Sequence, residues 1–453
     1  MSAMSAMSAM SAMSAMSAMS AISAISTMSA MSEICRAVRS PVAVLVTAAL
    51  LLGCGGGAGS TNTSAGPPIT ALSAPAAPDR GTLLHDGWAA YPRLVRLAYQ
   101  RETRLNGRIV ASLTESVGGR LQAGFHLIID DGASFSRLGT LHDADFALGL
   151  CCGTLFELPQ AVGALPAGTL LYAASVGQQG SGTLMRNRIY RSDDGGASFT
   201  RLGDAACGRS AVPRTGDGPG DGPGSGVWEP EFLLAADGSL ACIFSDETEP
   251  GRSQVLKLTA TRDGLHWSEP VVIVADGAAI DRPGMAGVRG LPGGGYVMGF
   301  EACSLAWLDC SVHLLRSADS LRRGPPADLG TRPRTPTGQF LRHAPTLAWA
   351  RTSSAPQGRL LLTGQIVARA DGAVDGPANG RVVFVNERAD GSGAWHLQPA
   401  PIGLPGTPPD SNWCLNYSTP LLPSADGLRL LLLQTDRAPD GGCRARFGRG
   451  PLG

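Results

Sequence analysis

Two glutamates carry the residue types and surroundings that could do chemistry. Glu229 lies in Val227-Trp228-Glu229-Pro230-Glu231-Phe232, and Glu301 closes the apolar run Tyr296-Val297-Met298-Gly299-Phe300. An acid at the end of such a run loses solvent, and desolvation raises a carboxyl pKa. Paired carboxylates across a sugar-sized gap are what glycoside hydrolysis needs: one acid/base and one nucleophile or base. In an extended chain Glu229 and Glu231 share a face, so only one of them is expected to enter such a site at the proper depth. Spacing alone also admits the ordinary alternative, in which both acids are surface charges paired with Arg282 or Arg93.

The elements that must position these acids repeat. Ser192-Asp193-Asp194-Gly195-Gly196-Ala197-Ser198-Phe199 combines a carboxylate for the turn's own N–H groups, glycine for a positive φ, and an aromatic plug below. Ile128-Ile129-Asp130-Asp131-Gly132-Ala133-Ser134-Phe135 and Thr261-Arg262-Asp263-Gly264-Leu265-His266-Trp267 are variants, Ser317-Ala318-Asp319 is a decayed copy, and Gly391-Ser392-Gly393-Ala394-Trp395 keeps the glycine and the aromatic. The aspartates at 130, 194, 263 and 319 step by 64, 69 and 56 residues. Units of that length, each with short alternating strands and Asp-Gly turns, predict an all-β fold, a β-propeller of six blades. The sixth unit is short at its outer end, and Gly81–His85 is expected to supply its missing strand and close the ring.

If the Asp turns mark the lower face, each third strand starts at the upper face, where second strands end and first strands begin. This places Arg93, Glu157, Glu229, Arg282, His343 and Tyr417 at first-strand starts, the first strand of the second unit being read as Leu155–Leu158, and Asp246 and Glu301 at second-strand ends, all around one mouth. Arg93, Glu157, Asp246, Arg282, His343 and Tyr417 are therefore the expected substrate-binding residues.

The aspartate octets resemble the Asp-box (BNR) turns of sialidase-like propellers. Tyr91-Pro92-Arg93, Trp228-Glu229-Pro230-Glu231-Phe232, Ser245-Asp246-Glu247, Arg282-Pro283-Gly284-Met285, Phe300-Glu301-Ala302-Cys303 and Asn416-Tyr417-Ser418 follow in order. Together they resemble the six-bladed exo-arabinanase family of glycoside hydrolases, related to the sialidases, over about Tyr91 to Gln434. The resemblance implies a retaining exo-hydrolase that releases arabinobiose from α-1,5-linked arabinan, with Glu229 as acid/base, Glu301 as nucleophile, and no metal or other cofactor. Phe300 departs from the tyrosine expected before the second glutamate, and the Gly/Pro-rich insertion Gly216–Gly226 enters at the rim. Two rivals stand beside this reading. A sialidase would need three arginines on a substrate carboxylate and a tyrosine nucleophile; a non-catalytic propeller would bind glycan or protein and tolerate loss of either glutamate.

The 453 residues have zero net charge and include 60 Gly and 32 Pro, as a turn-rich β protein requires, with nothing that selects nucleic acid as a partner. Residues 1–54 read as a Met-Ser-Ala repeat followed by an export signal: Arg36 and Arg39, an apolar run from Pro41 to Leu52, then Leu51-Leu52-Gly53-Cys54, which resembles a lipobox with Cys54 as the lipid attachment site. Residues 55–80 read as a flexible tether and 81–453 as the propeller. The expected product is an exported bacterial lipoprotein, monomeric and held to the membrane only by its anchor. Beyond Cys35 and Cys54, eight cysteines remain, an even number that favours disulfides in an exported chain. Cys303 and Cys310 are the expected local pair; the other pairings stay open.

Overall fold

The computed structural model describes residues 80–453, apart from 129, 131–132, 180–181, 211–225, 276, 305–308, 320–323, 352–354 and 405–412. Cys54, the tether as far as 79 and nearly all of the insertion at 216–226 lie outside the described residues.

Six antiparallel sheets follow one another along the chain. Blade I runs from Trp88 to Leu141, blade II from Leu150 to Arg209, blade III from Val227 to Val274 and blade IV from Arg282 to Arg342. Blade V is built from Thr346–Ala350, Arg359–Thr363, Val382–Asn386 and His396–Pro399. Ile366–Ala368, between two of these strands, instead pairs with Phe340–Arg342 and gives blade IV a fifth strand. Blade VI combines Leu421–Pro423, Arg429–Arg437 and Cys443–Pro451 with Thr82–Leu83 from the other end of the chain. Thr82 lies opposite Phe447 and Leu83 opposite Arg446, so the closing strand is where the sequence placed it. Among the described residues only short 3-10 turns interrupt the β structure.

The first strand of each blade is innermost: it touches the first strand of the next blade, and the sixth touches the first. Each strand alternates its side chains between two faces, and each sheet packs both faces against neighbours. The core is accordingly divided into layers between blades. Leu97, Val110 and Phe125 of blade I meet Leu155, Leu170 and Tyr172 of blade II; Ile109 and Ala111 meet Leu431, Leu433 and Phe447 of blade VI across the closure.

The aspartate turns pin the lower ends of these layers. Asp194 accepts from Ser198 N at 2.9 Å and Ser198 Oγ at 2.6 Å, and Ser192 Oγ accepts from Gly196 N at 2.8 Å. Phe199 then drops between blades I and II, its ring 4.1 Å from that of Phe125. Phe135 plays the same part between blades I and VI, 4.6 Å from Phe447.

Closure gives a first prediction. A chain beginning at Arg80 should melt where the full chain does. One beginning at His85 loses the strand opposite Phe447 and the packing of Leu84 against the seam. Its melting temperature should fall by roughly 2–4 °C for each kcal/mol of burial lost in a domain this large. Thermal unfolding of the two truncations checks this, and equal melting would show that the closing strand does not hold the ring.

Candidate active site

The site is built from a backbone irregularity that recurs around the upper mouth. Four inner strands break register near their upper ends, between Ala90 and Arg93, Cys151 and Thr154, Trp228 and Glu231, and Gly284 and Gly287. At each break sits a non-glycine residue in the left-handed region: Tyr91 at φ 52°, Cys152 at 62°, Glu229 at 58° and Met285 at 53°. Just ahead of the inner strands of blades V and VI, His343, Ala344, Asn416 and Ser418 do the same. Such a conformation costs an L-residue about 1–2 kcal/mol. Its effect is to re-aim side chains that plain alternation would place elsewhere, the usual role of bulges beside active sites. Tyr91, Cys152, Met285 and Ala344 thereby converge on one apolar cluster with Cys151, Trp228 and Tyr417 packed against it.

The two glutamates stand over this floor. Glu229 Oε2 accepts from Ser245 Oγ and from Met285 N, both at 2.9 Å. Burial pushes its carboxyl up, and the Ser245 and Met285 bonds with the charges of Arg93 and Arg282 take back only part of the rise. Glu301 lies directly across the sheet from Gly284, the residue before Met285. Its Oε2 accepts from Ala344 N at 2.7 Å. Burial first, then the neighbouring charge of Glu229, pushes Glu301 up to about 8. At neutral pH Glu301 therefore holds its proton. Burial, then the charges of Glu301 and Glu229, also lifts Tyr417 well above the usual phenol range and keeps it a neutral donor.

Gly284 separates the acids. A Cβ there would meet Gln254 Nε2 at 2.7 Å, Ser245 Oγ at 3.3 Å and Glu229 Oε2 at 3.6 Å. Gln254 donates to Pro283 O at 2.9 Å and accepts from Arg282 Nη2 at 2.7 Å. Gly284→Ala should therefore leave the fold intact, because the end of the flexible Gln254 can give way, while displacing the donors around Glu229. The expected result is unchanged thermal unfolding with kcat reduced on the order of 10-fold or more, since small misplacements in a catalytic pair are costly; unchanged kcat would mean that this packing is not part of the site.

Four of the six expected substrate-binding residues are brought to this mouth. Arg93 donates to Ser418 Oγ at 2.7 Å and lies 4.3 Å over the Tyr91 ring. Arg282 is held by Ser253 Oγ at 2.9 Å, by Gln254 and by Glu247. Tyr417 lies 6.1 Å, ring to ring, from Tyr91. His343 has a ligand atom within 4.8 Å of those of Glu301, Cys303 and Cys310. The sulfurs of Cys303 and Cys310 are bonded to each other, so this group offers a metal only a carboxylate and an imidazole.

Of the other two, Glu157 lies on the opposite face and Asp246 is engaged with the frame of blade III. The first strand of blade II begins at Leu150, not near Leu155, so Glu157 ends that strand on the lower face. There it accepts from Ala98 N at 2.6 Å, Tyr99 N at 3.0 Å and Gln100 Nε2 at 2.7 Å, tying blade II to blade I. Asp246 is at a second-strand end as expected, but its buried carboxylate accepts from Thr248 N at 2.6 Å and pairs with Lys257 Nζ at 3.2 Å. Glu231 likewise serves the frame: it accepts from Thr154 Oγ1 at 3.0 Å and pairs with Arg289 at 2.9 Å, linking blades II, III and IV.

Sequence reasoning missed Glu247, one residue beyond Asp246, which binds Arg282 and accepts from Gly226 N at 3.0 Å. It also missed the bond between adjacent Cys151 and Cys152 in the site floor. The four disulfides are Cys151–Cys152, Cys207–Cys242, Cys303–Cys310 and Cys414–Cys443.

The fold is a six-bladed β-propeller. No family model and no curated sequence matches the chain. Among solved structures, an α-L-arabinanase of Penicillium chrysogenum, complexed with arabinobiose, is similar at TM-score 0.66 and 22% identity, covering 82% of this chain and 97% of that one. An α-L-arabinofuranosidase of Fusarium graminearum in complex with an iminosugar inhibitor is similar at TM-score 0.64 and 18% identity, covering 83% and 96%. The Fusarium graminearum enzyme with arabinobiose is similar at TM-score 0.63 and 18% identity, covering 82% and 97%.

Proposed function

We propose that this chain is a retaining glycoside hydrolase that acts on α-1,5-linked arabinan or a closely related oligosaccharide, releasing short products from a chain end. The observation that carries the reading is the unequal pair of buried glutamates at the upper mouth. Burial and the charge of Glu229 keep Glu301 protonated near neutrality against one N–H and Arg282, whereas Glu229, also raised by burial, is met by a hydroxyl, an N–H and the charges of both Arg93 and Arg282. Environments that push two carboxyls apart assign their roles. On that basis we propose the allocation opposite to the one that sequence resemblance implies, with Glu301 as the acid/base and Glu229 as the nucleophile.

In the first step Glu301 gives its proton to the leaving oxygen as the glycosidic bond breaks, and Glu229 bonds to the anomeric carbon. In the second, the now ionised Glu301 takes a proton from water, whose oxygen displaces Glu229 with net retention. Arg93 and Arg282 offset the charge on Glu229. Tyr91, Trp228, Tyr417 and the paired sulfurs of Cys151 and Cys152 offer an apolar surface to a sugar face. The similarity to structures holding arabinobiose supports an oligosaccharide in this mouth. The sialidase alternative is disfavoured by the hydrogen bonds that already engage Arg282 and by the raised pKa of Tyr417. Anchoring at Cys54 would place the activity at the cell envelope.

The test is hydrolysis of linear arabinan, arabino-oligosaccharides and sialosides, with product size and anomeric configuration followed. Arabinobiose released with retained configuration is expected. Cleavage of sialosides alone, or binding of arabinan without turnover, would overturn the reading.

A further inference from the structure

We infer that His85, Glu115 and His126 form a site for a first-row divalent transition metal, which pins the ring-closing segment to blade I. The three residues come from separate parts of the seam. His85 follows the closing strand Thr82–Leu83, Glu115 lies near the end of Ile109–Val117, and His126 lies in Arg120–Ile128. One ligand atom from each lies within 4.8 Å of the other two. His126 Nε2 is already 3.0 Å from Glu115 Oε1. Tetrahedral zinc with nitrogen and oxygen ligands at about 2.0–2.2 Å needs two histidines and a carboxylate in this kind of array, leaving a fourth position for water. Tetrahedral edges at those bond lengths are about 3.4 Å, so closing the widest separation by no more than about 1.5 Å would meet that requirement. The group borders a cavity of about 520 Å³ also lined by Leu84, Asp86, Gln122 and Phe135, which leaves room for the fourth ligand.

The surroundings are arranged for these side chains. His85 Nε2 is buried without a hydrogen-bond partner. A Cβ on Gly87 would lie 2.6 Å from that nitrogen, and one on Gly124 would overlap the Glu115 carboxylate at 1.9 Å. Two positions without side chains thus clear the space that the cluster occupies. Gln122 Nε2 donates to Glu115 Oε2 at 2.9 Å, which orients the carboxylate as outer partners of metal ligands do.

In the free protein the cation of the cluster is Arg137. Its Nη1 lies 2.7 Å from Glu115 Oε1, 2.9 Å from Oε2 and 3.2 Å from His126 Nε2. This side chain is 37% exposed, whereas that of Glu115 is fully buried. A metal entering from the His85 side therefore displaces a guanidinium that can turn to solvent. The displacement gives the site a signature: removing Arg137 should strengthen metal binding, while removing His85 should weaken it.

The experiment uses the full chain carrying Cys35→Ser and Cys54→Ser, which removes the thiols outside the four disulfides. The protein is stripped with chelator and titrated with zinc chloride alone by calorimetry, with thermal unfolding measured in parallel. One zinc per chain and a rise in melting temperature are expected. His85→Ala should weaken binding on the order of 100-fold and abolish the rise. Because His85 Nε2 makes no hydrogen bond, this variant should melt like the parent when no metal is present. Arg137→Ala should bind zinc on the order of 10-fold more tightly, the guanidinium no longer competing for Glu115. Absence of saturable one-to-one binding overturns the site, as does His85→Ala binding as tightly as the parent. Weaker binding by Arg137→Ala overturns the displacement.

Discussion

Glu301→Ala should slow hydrolysis of arabinan on the order of 10²–10⁴-fold, the usual contribution of a general acid. It should leave the first step on an arabinofuranoside with a good leaving group much less affected. Such a substrate needs no proton on departure, so the loss then falls on deglycosylation, where the missing base no longer activates water. Azide needs no base; it should restore turnover of the activated substrate and give a glycosyl azide of retained configuration. Glu229→Ala should be inactive on both substrates, because no covalent intermediate forms, and azide entering from its vacated side should give the inverted product. Glu231→Ala should affect folding more than turnover, since its partners are Thr154 and Arg289. A retained azide product from Glu229→Ala would restore the roles implied by sequence resemblance. If neither glutamate alters an activity that is otherwise present, the two-carboxylate mechanism fails for this chain.

The architecture was legible where local chemistry repeats. The Asp194 turn, its serines and Phe199 form a self-contained unit whose bonds are all short-range, so a single octet and its decayed copies reveal the period. The closing strand was legible because the sixth unit lacked an outer partner and an extended segment stood ready at the other end. The site was legible only in part. Glu229 and Glu301 declared themselves through apolar neighbours, but Glu157 was placed on the upper rim because the bulge at Cys152 interrupts the alternation of its strand. The reading therefore began that strand at Leu155, five residues late, and turned one of its ends into the other. Left-handed backbone at Tyr91, Glu229 and Met285 leaves no mark in residue type, since none is a glycine or asparagine. It is imposed by the ring of neighbouring blades, and tertiary context of that kind has no short-range signature. Asp246 is a different case: it stands at the strand end where the sequence placed it, its carboxylate pairs with Lys257 on the next strand, and Glu247 holds Arg282.

Turnover and stability should both fall as pH rises through the titration of Glu301, over different windows. As the acid, Glu301 must carry its proton when substrate binds, and its pKa of about 8 sets the alkaline limit. For arabinan, kcat/KM should fall tenfold per pH unit well above that value, the signature of one essential proton in the free enzyme. An activated substrate should lose this limb for its glycosylation step. The same proton governs folding. The Glu301 carboxyl is raised in the folded protein, so between about pH 4.5 and 8 the native state holds a proton that the unfolded chain releases. The contribution of Glu301 to stability is therefore fully present below the unfolded pKa and is lost as pH rises through the folded one, at about 1.4 kcal/mol for each pH unit crossed between the two. Glu301→Gln removes this titration and the repulsion from Glu229 while keeping the shape of the side chain. Its melting temperature should match the parent near pH 4.5 and exceed it by a growing margin up to about pH 8, beyond which the margin should stay constant. Turnover of arabinan should be lost at every pH. A variant that melts below the parent at pH 8 would mean that the Glu301 carboxylate is stabilised by its surroundings. In that event the proton of the pair belongs to Glu229, and the acid and nucleophile exchange places.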